Sequence, residues 1–69
     1  MEASYNEPIH LEGINLSEAT LPNINFSRTH LEQAWLNDTR MSGANLVSAH
    51  LDAAILDDAE LFNANLEEA

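Results

Sequence analysis

Three histidines stand twenty residues apart, at His10, His30 and His50, and each is followed two positions later by a carboxylate, Glu12, Glu32 or Asp52. Imidazole nitrogens beside carboxylate oxygens are ligands that Zn2+, Cu2+ and Ni2+ accept. A metal centre also needs ligands that converge on one point and further groups that orient them. If twenty residues is one structural repeat, the three rings stand parallel on an outer wall, and parallel rings stack or diverge rather than converge. The reading is therefore no metal and no cofactor, with these six residues the one metal-like constellation in the chain. Catalysis is not expected either, because no nucleophile has a convincing base and orienting partner and a flat wall offers no pocket.

A second group at the same interval is apolar. Trp35, the single tryptophan, and Ile55 are twenty residues apart, and Asp38, Asp57 and Asp58 follow them closely. An exposed aromatic residue ringed by polar groups favours a protein contact. With Glu60, Glu67 and Glu68, these residues form the expected interaction surface.

The charge balance restricts the partners. Twelve Asp and Glu face two Arg and no Lys, for a net charge of −10 with the histidines neutral. Such a surface repels nucleic acid and anionic membrane and attracts basic partners, so direct nucleic-acid or membrane binding is not expected. Cysteine is absent, which removes disulfides and thiolate chemistry. No apolar run approaches a membrane span, and Met1 to Pro8 lacks the basic start and apolar stretch of a signal peptide, so a cytoplasmic protein is expected. Sixty-nine residues bound the chain to one domain that is marginal as an ordinary packed core.

What positions these groups is a register of five. Large apolar residues occupy 11, 16, 21, 26, 31, 36, 41, 46, 51, 56, 61 and 66, all Leu apart from Phe26 and Met41, and two positions before each lies Ile, Ala or Thr. Five steps of ~100° leave successive Leu ~140° apart on an α-helix, which rules a helix out. A flat strand fails as well, since an odd repeat flips the Leu face at every unit. The chain must turn once per unit, and the two consecutive outward residues after each Leu mark the corner. Reading the residue before each Leu at every fourth unit aligns His10 with His30 and His50, and Asn25 with Asn45 and Asn65. Every third unit aligns nothing comparable. Four sides and twenty residues per coil follow, with coils at 9–28, 29–48 and 49–68 after a lead-in at 1–8. Stacked amides in the Asn column are expected to bond one another along the axis, and Arg40 is expected to pair with Glu60.

The register resembles the pentapeptide-repeat family, whose motif is approximately Ala-(Asp/Asn)-Leu-x-x: Ala44-Asn45-Leu46 and Ala64-Asn65-Leu66 match it as they stand. The resemblance implies an all-β fold, a right-handed quadrilateral parallel β-helix of about three coils. The Ile residues at 9, 14 and 24 depart from the family's preference for small residues and are expected to widen or plug the first coil. Ala69 occupies the first position of a thirteenth unit, which reads as a fragment of a longer repeat or as a surface for an end-to-end homodimer. The functional expectation is a non-catalytic structural or protein-interaction module. The alternative, implied by the resemblance, is an acidic DNA mimic acting on DNA gyrase or topoisomerase, that is, on a nucleic-acid-binding partner.

Overall fold

The structure, a computed structural model, describes residues 8–69, so all but the last residue of the lead-in 1–8 lies outside the described residues. Each five-residue unit closes one tight turn. The carbonyl of the large apolar residue accepts from the N–H three residues on, as in Ile14 N–H to Leu11 at 3.1 Å and Ala44 N–H to Met41 at 3.0 Å. The third residue of every turn lies in the left-handed region, with φ between 58° and 72° from Gly13 through to Glu68. A positive φ there is the signature of a type II turn. Only Gly13 and Gly43 are glycines, so ten corners hold a side chain in a conformation that costs an L-residue ~1–2 kcal/mol. A Cβ at Gly43 would meet the side-chain oxygen of Asn23 in the coil below, which would have to swing aside.

Between corners the chain pairs with itself twenty residues later. Eight parallel bridges join His10 to His30 to His50, Asn15 to Trp35 to Ile55, Thr20 to Arg40 to Glu60, and Asn25 to Asn45 to Asn65. These four columns are named sides 1 to 4. At each rung one residue exchanges two bonds with the next coil, as when Leu11 donates to His30 at 2.8 Å and His30 donates to Ile9 at 2.8 Å. A third bond falls inside the corner itself, Gly13 N–H to Glu32 at 2.8 Å. The sides are shorter than the sequence suggests. Each is a single bridging residue rather than a strand, because the left-handed corner residue returns every five positions and interrupts extended backbone before a second bridge can form.

In the middle coil, paired on both sides, this pattern leaves one N–H per unit without a main-chain partner, that of the residue directly after the large apolar one. On side 4 the asparagines supply the acceptor: the Oδ1 atoms of Asn25, Asn45 and Asn65 take the N–H groups of Ser27, Val47 and Glu67, each at 3.0 Å, and Asn15 does the same for Ser17 on side 2. The expected amide-to-amide ladder is therefore corrected. The side-chain carbonyls turn to the corner because an unpaired main-chain donor is the stronger demand.

The inward residues fill the axis. Thr29, Leu31, Ala34, Leu36, Thr39, Met41, Ala44 and Leu46 are buried in the coil 29–48, joined by Phe26 and Ala49 from its neighbours. Leu11, Ile14, Leu16, Leu21, Ile24, Leu51, Leu56, Leu61 and Ala64 are partly buried against them. Ile9 and Leu66 occupy inward positions yet are exposed, since among the described residues each has a coil on one side only. No helix among the described residues is long and apolar enough to cross a membrane.

Candidate functional site

On side 1 the three imidazoles form a continuous stack. His10 and His30 lie 4.6 Å apart between ring centroids with planes 5° from parallel, and His30 and His50 lie 4.3 Å apart at 4°. The bridge spacing causes this, because side chains leaving adjacent rungs in the same direction inherit the ~4.8 Å separation of hydrogen-bonded strands. The corner residue two positions on reaches back to the ring: His10 Nδ1 meets Glu12 Oε2 at 3.0 Å, and His30 Nδ1 meets Glu32 Oε2 at 3.1 Å. An ionised carboxylate only accepts, so Nδ1–H is the donor in each pair. Both carboxyls are held below the usual carboxylate range, first by the bond from the histidine and second by their own backbone N–H.

The column is not uniform along its length. Asp52 makes no bond to His50, because its side chain is one methylene shorter than that of Glu12 or Glu32. His50 is therefore stacked from below and otherwise exposed. In the middle of the column Glu32 presents a second oxygen, Oε1, that is buried and has no hydrogen-bond partner. The ligand atoms of His30, Glu32 and His50 lie within 4.8 Å of one another, as do those of His10, Glu12 and His30.

Side 2 carries the other grouping. Trp35 is 48% exposed and Ile55 37%, and their backbones are bridged, so the two side chains are neighbours on one wall. The corners on either side are acidic: Glu12, Glu32 and Asp52 edge one, and Glu18, Asp38, Asp57 and Asp58 the other.

A model of pentapeptide repeats matches the chain in eight copies, over residues 9–46, 24–61 and 39–69. The chain belongs to the pentapeptide-repeat family. Membership suggests a non-enzymatic repeat protein, and repeats of this family generally form a right-handed β-helix, in keeping with a chain that returns to the same column every twenty residues. No curated protein and no solved structure matches this pentapeptide-repeat protein.

Of the other residues singled out in the sequence, Arg40 and Glu60 are backbone partners on side 3, yet no ion pair joins their side chains. Both are exposed, and ordering two long side chains in water offsets most of the small gain from such a pair. Glu67 and Glu68 sit at the corner between sides 4 and 1, away from Trp35, with Ser48 Oγ donating to Glu68 Oε1 at 3.4 Å. Sequence reasoning underrated Phe62, which is 75% exposed at the corner between sides 3 and 4. Its signal was present in the register, since the position directly after a large apolar residue is always a corner.

Proposed function

We propose that this protein is a non-catalytic interaction module, a right-handed four-sided β-helix whose side 2 is the contact face for a basic protein partner. The observation that carries the reading is the pair Trp35 and Ile55, exposed side by side on a wall between two acidic corners. An indole face attracts a guanidinium or ammonium group by ~0.5–1 kcal/mol at exposed sites, and the flanking carboxylates add long-range attraction. Trp35 would anchor the contact, Ile55 would extend its apolar floor, and Asp38, Asp57 and Asp58 would select for positive charge.

An arginine-rich peptide tests this by calorimetry. Binding is expected to weaken on Trp35→Ala and on raising the salt. Binding that responds to salt and ignores both Trp35→Ala and Ile55→Ser would show attraction to net charge alone and refute the assignment of side 2.

A second reading, the acidic DNA mimic, has charge density in its favour. The coils 9–28, 29–48 and 49–68 carry net charges of −1, −1 and −6. Duplex DNA carries ~8 charges over the ~14 Å that three coils span, a similar total. DNA spreads its charge evenly, however, whereas this chain concentrates it in one coil. Inhibition of gyrase supercoiling by the purified protein would favour mimicry over a side 2 contact.

A further inference from the structure

The stack on side 1 has a different character at its two ends, and the difference has chemical meaning. We propose that His30, Glu32 and His50 form a binding site for a divalent transition-metal ion such as Zn2+, Cu2+ or Ni2+. Three independent features of the column lead there.

The first is a preformed bite. His30 Nδ1 and Glu32 Oε2 are 3.1 Å apart. Two ligands each ~2.0–2.2 Å from one ion, at angles between a right angle and the tetrahedral value, lie ~2.9–3.4 Å from each other. An ion at bonding distance from both atoms lies to one side of the line that joins them, so the separation already fits and the His30 ring has to turn to aim Nδ1 at the ion. The neutral imidazole shifts its proton to Nε2, so the exchange requires no net deprotonation.

The second is a free third ligand. His50 stacks on His30 at 4.3 Å, and its ring is not tethered, since Asp52 does not reach it. In the parallel arrangement the nitrogens of the two rings do not converge on one point. Being exposed and untethered, the ring can tilt about its own side-chain torsions and bring Nδ1 to an ion held by His30 and Glu32. His10 differs, because Glu12 holds its Nδ1 at 3.0 Å and tilting that ring would break the bond.

The third is the unpartnered oxygen. Glu32 Oε1 is shielded from solvent and has no donor in good hydrogen-bond geometry. A cation on the Glu32 carboxylate compensates that oxygen electrostatically. Two imidazoles and one carboxylate, with remaining positions open to water, form a set that suits Zn2+, Cu2+ and Ni2+ and not the harder Mg2+ or Ca2+.

The test is calorimetric titration of the full chain with ZnCl2, together with histidine ring-proton NMR. The expected result is one Zn2+ per chain, with the His30 and His50 resonances shifting most and that of His10 less. Glu32→Gln and His50→Ala should each weaken binding by more than ~10-fold, as loss of a ligand costs at least what loss of an orienting group does. His10→Ala should leave the affinity unchanged, and CaCl2 should not compete. Absence of saturable binding would overturn the proposal. So would equal losses on His10→Ala and His50→Ala, or binding indifferent to all three substitutions, which marks uptake by the acidic surface. The NMR readout on the unsubstituted chain keeps the outcome decisive should a variant fail to fold.

Discussion

The two buried threonines offer a controlled comparison within one coil. Thr29 and Thr39 both point inward, on sides 1 and 3 of the coil 29–48, and both are fully buried. Their hydroxyls differ. Thr39 Oγ1 donates to the Leu36 carbonyl at 2.8 Å, and the turn bond to that same carbonyl, from Thr39 N–H, is long at 3.4 Å. Thr29 Oγ1 reaches the Ser27 carbonyl only at 3.4 Å, while its own turn bond to Phe26 is 3.1 Å. The Thr39 hydroxyl thus serves as the principal donor to Leu36, whereas the Thr29 hydroxyl contributes little. Valine has nearly the same shape and removes the hydroxyl alone. Thr39→Val should lose a net bond of ~0.5–1.5 kcal/mol and leave the Leu36 carbonyl poorly satisfied. Thr29→Val replaces a poorly bonded buried hydroxyl by a methyl group and should be neutral or stabilising by up to ~1 kcal/mol. The separation between the variants is therefore ~0.5–2.5 kcal/mol, and in a domain of this size each kcal/mol moves the melting temperature by ~4–8 °C. Thermal melts followed by far-ultraviolet circular dichroism measure it. Equal midpoints, or a Thr29→Val protein that melts below Thr39→Val, would refute the assignment of unequal hydroxyl roles.

Other substitutions test the remaining parts of the fold. Ala53→Gly relieves a left-handed corner at φ 61°, and with ~1–2 kcal/mol of strain removed against ~0.5–1 kcal/mol of added chain entropy the urea midpoint should rise slightly. Leu36→Ala, in the fully buried middle coil, should cost ~2–5 kcal/mol. Leu16→Ala, only partly buried, should cost clearly less in the same denaturant titration. Asn45→Ala removes the acceptor for the Val47 N–H and should destabilise by ~1 kcal/mol, with faster hydrogen exchange at Val47 as the local readout.

The histidine–carboxylate bonds on side 1 show how far a sequence can be read before geometry takes over. The register of five and the agreement of His10 with His30 and His50, and of Asn25 with Asn45 and Asn65, determined the bridged columns, because a fixed period restricts a chain to a few ways of closing. The same register placed Trp35 beside Ile55 and the corner in the two residues after each large apolar position. These features depend on spacing alone, and spacing is written in the chain. What tertiary structure decided was how groups at those positions spend their bonding capacity. The Asn amides turn to a main-chain donor that only the folded corner leaves unpaired. Arg40 and Glu60 are adjacent in backbone yet not joined, since adjacency does not fix two long exposed side chains. On side 1 the three carboxylates are equivalent in register, but Glu12 and Glu32 reach their histidines while Asp52 does not. A one-methylene difference in reach, negligible in a pattern of residue types, separates a tethered imidazole from a free one.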